Sequence, residues 1–255
     1  MFPFLVDKIF DAHKRVCNVC GADVFDDRGF CQVCFDSLPF NDGKTCKLCG
    51  SKLLTEESYC PNCKPDRVFF DRAFSSFDYD DAIKTLLYDF KYGGSKYLAK
   101  IFAPYMAATW YESGINADCV TYAPLSQKSF DKRGYNQAEL LAKEFCSQTG
   151  IPLVKDAVTK IKDTAQQERL KTFERRANLL GAFALGSDYD FVGKTVVVID
   201  DVKTTGTTLS RIAKQLKKAK AAKVYGLTVA SARYKLPIGG KNEQQKAIKN
   251  FGKNC

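Results

Sequence analysis

KTVVVIDDVKTTGTT, residues 194–208, is the stretch that decides the fold of this 255-residue chain. Lys194–Ile199 contains four consecutive apolar side chains, three of them valine, the pattern of a strand buried on both faces in a parallel sheet. Asp200 and Asp201 follow, then the loop Thr204–Thr208, then a helical pattern from about Leu209 to Ala219, then a second strand pattern over Tyr225–Ala230. Strand, loop, helix and strand make a right-handed crossover unit, and sheets built from such units bind ligands outside the carboxyl ends of their strands. The two aspartates therefore stand where a site is expected.

The loop has the chemistry of an anion cradle. Gly206 permits a tight backbone path, the following helix start leaves amide hydrogens unpaired, and Thr204, Thr205, Thr207 and Thr208 add hydroxyl donors. The spacing is neither GxxxxGK[ST] nor GxGxxG, which excludes the two best-known glycine-rich nucleotide loops. Two carboxylates just before such a cradle suit a vicinal diol and a hard cation such as magnesium. The combination describes a ribose held by its hydroxyls with a phosphate at its 5 position; a solvent-facing strand end is the competing reading of the acidic pair.

Working outward, an extended segment is expected over Phe74–Phe77. A helix capped by Asp80 carries Ile83, Leu86, Leu87 and Phe90 on one face and stops at Gly93 and Gly94. Ser95 is expected to cap a second helix running through Thr109. Asp118–Tyr122 is a short strand leading into Ala123, Pro124 and a basic loop, and Asn136–Gln148 is helical in pattern. The helix after the phosphate loop contains RIAKQLKKAKAAK, residues 211–223. Two readings of it stay open: a solvated outer helix with Ile212, Leu216 and Ala219 inward, or a phosphate-rich binding track. Tyr79, Tyr88, Tyr92 and Tyr97 could stack on bases or simply pack.

Toward the N-terminus lie four CxxC pairs: Cys17/Cys20, Cys31/Cys34, Cys46/Cys49 and Cys60/Cys63. Both halves obey one rule, CxxC, ten residues, CxxC, so the segment is an internal repeat supplying two sets of four soft thiolates. This is the ligand pattern of two structural zinc ions, with redox dithiols, iron–sulfur ligation and disulfides as the other possibilities. Sequential pairing gives two ribbons, and a crossed pairing satisfies the spacing equally. With few large apolar residues of its own, such a module takes much of its folding free energy from metal, on the order of 10 kcal/mol per site. His13 finds no vacancy in two complete cysteine sets. Cys119 and Cys146 sit in apolar surroundings and read as buried thiols, and Cys255 as a terminal free thiol.

The apolar share of 45% is that of a folded globular chain. Charge is divided unevenly: residues 1–66 hold 8 Lys and Arg against 10 Asp and Glu, leaving 31 against 19 for the remainder. The basic field therefore belongs to the larger domain, either as a solubilising surface or as a preference for phosphate-rich partners. No apolar run is long enough to span a membrane. Met1–Asp11 lacks the marks of a secretory signal and reads as a short amphipathic helix with Leu5, Val6, Ile9 and Phe10 on one side, so a cytoplasmic location is expected. The expected division is 1–11 helix, 12–66 double zinc ribbon, 67–233 α/β domain, and 234–255 basic flexible tail.

VVVIDDVKTTGTT resembles the ribose-phosphate signature of type I phosphoribosyltransferases. Taken with the rest, the chain resembles the ComF-type competence family, whose members are similar to amidophosphoribosyltransferases and often carry N-terminal cysteine ribbons. The likeness extends to about Arg233. It includes the CxxC pairs, Leu86–Gly94 with Lys91, Tyr92 and Gly93, the triplet Ala123–Leu125, Arg133–Ala142, Thr164–Gln167 with Arg169, and Glu174–Phe183.

The resemblance implies a parallel-sheet α/β domain of the type I phosphoribosyltransferase kind behind a small double zinc ribbon. It implies that Asp200 and Asp201 bind the ribose hydroxyls of magnesium-chelated 5-phosphoribosyl 1-pyrophosphate and that Thr204, Thr205, Gly206, Thr207 and Thr208 bind its 5-phosphate. Pro124 and Leu125 fall in the pyrophosphate loop, and Lys128, Lys132 and Arg133 are candidates for the departing pyrophosphate, with Arg133 grouped with the aspartates as catalytic. Thr164–Gln167 is expected in a loop that closes over the site. The family usually carries more arginines and a histidine where this chain has Gln127–Lys132, so the likeness implies ligand binding more strongly than catalysis. A role in DNA uptake during natural transformation, with single-stranded DNA and other competence proteins as partners, is implied as well. The alternative is a non-catalytic single-stranded-DNA-binding or scaffold protein of that machinery. Cys17 is internal and bound into a ribbon, so a glutaminase built on an N-terminal cysteine is not expected.

Overall fold

The computed structural model describes residues 16–25, 28–53, 56–60, 63, 68–160 and 183–232. The expectations for residues 1–11, His13, Thr164–Gln167, Arg169, residues 174–182 and the tail 234–255 lie outside them.

In chain order the elements are α1 (Gln32–Asp36), β1 (Arg72–Asp78), α2 (Asp81–Tyr92), α3 (Leu98–Glu112), β2 (Cys119–Tyr122), α4 (Gln127–Arg133), α5 (Gln137–Thr149), β3 (Val158–Lys160), β4 (Phe183–Leu185), β5 (Thr195–Lys203), α6 (Thr207–Lys218) and β6 (Lys223–Ser231). Four strands form one sheet in the order β1-β6-β5-β2, every pairing parallel. The central strand is the one read first from the sequence: Val196, Val197, Val198 and Ile199 are all buried, so both faces of the sheet are covered. Helices α3 and α5 pack on each other and on the sheet strands, while α6 packs on β5, β6 and the small antiparallel β3–β4 pair. Gly226 allows the close approach of α6, since a Cβ there would lie 2.7 Å from Leu209 Cδ1.

Local signals set the boundaries. Asp80 caps α2 by accepting from Ile83 N, and Gly93 ends it. Asn136 caps α5 by accepting from Ala138 N, and Gly150, at φ 72°, ends it in the left-handed region. Three expectations are corrected. Ser95 does not cap α3: that helix starts at Leu98 after a turn in which Leu98 N donates to Ser95 O, and Tyr97, at the cap position, makes no side-chain capping bond. The basic loop after β2 folds as α4 from Gln127, because the buried Ser126 hydroxyl accepts from Ser129 N. The strand expected over Lys194–Ile199 continues as β5 through both aspartates to Lys203, since Asp200, Val202 and Lys203 still pair with β6.

The cysteine repeat is a structural repeat. Cys17 N donates to Ala22 O and Cys46 N to Ser51 O, and each knuckle turns at a left-handed glycine, Gly21 and Gly50. The second copy lies along the outer edge of β1: Ala73 N donates to Leu48 O, Asn41 N to Ser76 O and Asp78 N to Pro39 O, while Phe40 bridges Phe77. Contact is so close that a Cβ on Gly50 would lie 2.4 Å from Ala73 O. An edge strand covered in this way offers no open ladder to another chain.

Candidate functional site

Two thiolate sets are assembled by sequential pairing, Cys17/Cys20/Cys31/Cys34 and Cys46/Cys49/Cys60/Cys63, with the sulfurs of each set within 4.8 Å of one another. Cys20 and Cys31 Sγ are 3.7 Å apart, and Cys49 and Cys60 Sγ 3.6 Å. Four sulfurs at about 2.3 Å from a tetrahedral zinc are separated by about 3.8 Å, so both sets fit that ion. The ribbons differ in setting: Cys46, Cys49 and Cys60 are buried, whereas Cys20 is exposed. Hydrogen bonds from the facing thiols pull the Cys49 thiol down, and the charge of Lys203 adds to them. Cys119 and Cys146 stand apart from both sets; burial raises both thiols, Cys146 to about 12, which leaves them as unreactive packing groups.

At the carboxyl end of the sheet, Asp200 Oδ1 accepts from Asp201 N at 2.9 Å and Asp201 Oδ1 accepts from Val202 N at 2.8 Å. Lys91, on the last turn of α2, reaches Asp201 Oδ2 at 2.7 Å. This lysine is missing from the expected site residues. Its signal in the sequence is a basic residue in the last turn of the Asp80-capped helix, just before the Gly93–Gly94 stop, and only the tertiary structure joins it to the aspartates. Burial and the charge of Asp201 hold Asp200 well above the usual carboxylate range. Burial pushes Asp201 upward too, but the Lys91 ammonium outweighs it, and Asp201 stays below its ordinary value. Burial lowers Lys91, and the two carboxylates more than reverse that, so it remains a cation. The pair thus holds one firm anion and one carboxyl poised to ionise when a cation arrives.

The cradle lies directly beyond. Gly206, at φ 73°, is the residue before α6 and makes no side-chain cap, so the first amides of the helix are open to an anion. Thr207 and Thr208 are the first residues of α6, Thr205 and Thr207 hydroxyls are 2.7 Å apart, and Thr204 is exposed. Across the sheet, Tyr122 pairs with Ile199 and Ala123 N donates to Ile199 O, which brings Pro124 and Leu125 off the end of β2 beside the aspartates. Asn136 fastens this turn by donating to Ala123 O at 3.0 Å. Arg133 is held by Tyr92 OH at 2.9 Å and Gln137 Oε1 at 3.1 Å, over the Tyr92 ring, and its charge is felt at Lys91. Lys128 and Lys132 are exposed on α4, and among the described residues no hydrogen bond or ion pair ties either to the aspartates.

The arrangement can hold a diol with a cation at one end and a phosphate at the other. Among the described residues no helix is long and apolar enough to cross a membrane. On α6, Ile212 and Leu216 are buried and Ala219 is partly buried, the packing expected of an outer helix of the sheet.

Comparison with known proteins gives two family matches, the double zinc ribbon domain over residues 6–64 and the phosphoribosyl transferase domain over residues 130–250. Competence protein F of Haemophilus influenzae is 40% identical over 102 residues, 39% of this chain and 44% of that protein. DNA utilization protein YhgH of Escherichia coli K12 is 36% identical over 107 residues, 42% of this chain and 46% of that protein. Competence protein ComFC of Bacillus subtilis is 29% identical over 160 residues, 61% and 62% of the two chains. The match therefore spans less than half the length of the first two relatives. Solved hypoxanthine phosphoribosyltransferases from Trypanosoma cruzi and Staphylococcus aureus align at 14% and 17% identity and TM-scores of 0.34 and 0.37, over 59% and 57% of this chain and 72% and 71% of theirs.

Proposed function

This chain belongs to the ComF-type competence protein family, joining a double zinc ribbon to a phosphoribosyltransferase-like fold, and from that premise we propose that it binds magnesium-chelated 5-phosphoribosyl 1-pyrophosphate in the handling of incoming DNA. The observation that carries the reading is the juxtaposition of the Lys91–Asp201–Asp200 group with the open amides of Gly206–Thr208. Asp200 and Asp201 take the ribose hydroxyls, and Thr204–Thr208 the 5-phosphate. Ala123–Leu125 and Arg133 face the pyrophosphate, with Lys128 and Lys132 as outer cations. Magnesium carried by the pyrophosphate would supply neutralisation of the leaving group's charge. The chain's own contribution is to fix the sugar, hold negative charge near a ribose carbon that gains positive charge, and supply Arg133 to the leaving group. The acceptor is a group that attacks ribose C1. The names of the relatives, competence protein and DNA utilization protein, support a place in DNA uptake.

A second reading is favoured by one observation. Tyr88 and Tyr92, 62% and 48% exposed, lie with ring centroids 5.1 Å apart beside Arg133, a stacking surface suited to single-stranded nucleic acid.

Calorimetric titration of the zinc-loaded protein with magnesium and 5-phosphoribosyl 1-pyrophosphate tests the first reading. Saturable binding that Asp200→Ala/Asp201→Ala abolishes is expected; an intact protein that takes up no ligand removes this reading and leaves the stacking surface as the function to pursue.

A further inference from the structure

Lys203 closes β5 immediately before the phosphate loop, yet its side chain does not point into that site. It runs beneath the loop, with its Cδ 4.0 Å from where a Cβ on Gly206 would sit, and ends at the second ribbon. There its ammonium donates to Ser51 Oγ at 2.7 Å. Ser51 Oγ also lies 2.9 Å from Ser231 Oγ and 3.4 Å from Cys49 Sγ. The group is closed to water: Lys203 is 3% exposed, Ser51 4%, Ser231 1% and Cys49 6%. Among the described residues no carboxylate pairs with Lys203.

A buried ammonium without a carboxylate needs another negative charge. Four thiolates around a divalent zinc leave the second cluster with two excess negative charges, and Ser51 connects them to Lys203. Lys203 donates to Ser51 Oγ, and the contact with Ser231 Oγ can be donated from either side; with Ser231 as donor, the Ser51 hydroxyl hydrogen can turn to the Cys49 sulfur, which becomes an acceptor as a metal-bound thiolate.

We infer that Lys203 is the counter-cation of the second metal-loaded thiolate cluster and, through the same side chain, the support of the Thr204–Thr208 loop, so that metal occupancy of this cluster and sugar-phosphate binding are coupled. Lys203 is thus a positioning residue, and the second ribbon is part of the foundation of the ligand site. The first cluster is the internal control. The part concerning the loop rests on the sugar-phosphate reading above; the part concerning the metal does not. Coupling of this kind is reciprocal, so ligand must tighten the metal by the factor by which metal tightens the ligand.

The test uses the full chain with both zinc ions bound, competed against a chromogenic chelator, with the two sites told apart by a Cys17→Ser variant that empties the first. Lys203→Met and Ser51→Ala are each expected to weaken zinc at the second cluster about 10- to 100-fold and to leave the first unchanged. Ser51→Ala removes only a hydroxyl, so it decides the matter if Lys203→Met does not fold. Saturating magnesium and 5-phosphoribosyl 1-pyrophosphate is expected to tighten the second zinc and not the first. Unchanged second-site affinity in the variants, or equal weakening of both sites, overturns the counter-cation role. Ligand that binds without altering the second zinc overturns the coupling. Absence of ligand binding by the wild type removes the sugar-phosphate reading and leaves the metal arm to decide Lys203.

Discussion

Asp200 and Asp201 are adjacent carboxylates of one strand that are driven in opposite directions. Asp201 is depressed by Lys91, so the stability it contributes is present above the unfolded carboxylate pKa and is lost as pH falls through its folded value. Lys91→Met removes that contribution. The cost expected at neutral pH is about 1–3 kcal/mol, discounted from a fully buried pair because both side chains keep some exposure, and the gap to wild type should close in acid. Urea unfolding across pH measures it; a gap that persists unchanged in acid refutes the assignment. Asp200 has the reverse sign. Its raised pKa gives stability below the unfolded value that is lost as pH rises through the folded one. Asp200→Asn is therefore expected to match wild type in acid, to melt at higher temperature as pH rises, and to lose sugar-phosphate binding. A melting temperature that follows wild type at every pH would show that Asp200 is not held protonated.

The elements carry the site because their ends are fixed by local chemistry. Gly206 adopts φ 73° at the start of α6, a conformation that a β-carbon disfavours by about 1–2 kcal/mol, and a Cβ there would lie 3.5 Å from the Phe70 ring, an ordinary contact. Gly206→Ala is expected to cost about that much stability and to weaken ligand at least tenfold, read by chemical denaturation and calorimetry; retention of full affinity would place the phosphate elsewhere. Asn136 joins the cap of α5 to the turn after β2, accepting from Ala138 N and donating to Ala123 O. Asn136→Ala should destabilise by about 1–2 kcal/mol, and Asn136→Asp, which keeps the cap and loses the donor, should recover only part of it. Equal stability of the two variants would make the bond to Ala123 O immaterial.

At the scale of the molecule, the ribbons and the sheet are one body: the second ribbon covers the β1 edge with backbone hydrogen bonds and places Ser51 against Lys203 and Ser231. Chelation of both metals is expected to uncover that edge, lowering the melting temperature and promoting association, as followed by light scattering. A chelated protein that stays monomeric with unchanged melting would show the edge protected without metal. The sequence by itself determined the four CxxC pairs, the central apolar strand, the aspartates within it, the glycine–threonine turn before the next helix and the caps at Asp80 and Asn136. Each rests on spacing, periodicity or backbone chemistry over a few residues, which a linear chain displays directly. It left open whether the cysteine pairs were sequential or crossed, and it misplaced the start of α3 and the path after β2, where turn geometry overrode the first capping residue in sight. Only the tertiary structure joined Lys91 to Asp201, fastened Asn136 to Ala123, seated the second ribbon on β1 and led Lys203 away from the site that its neighbours form. Such contacts join residues as many as 180 positions apart, as with Ser51 and Ser231, and their geometry is fixed by the packing of whole elements, which no local pattern encodes.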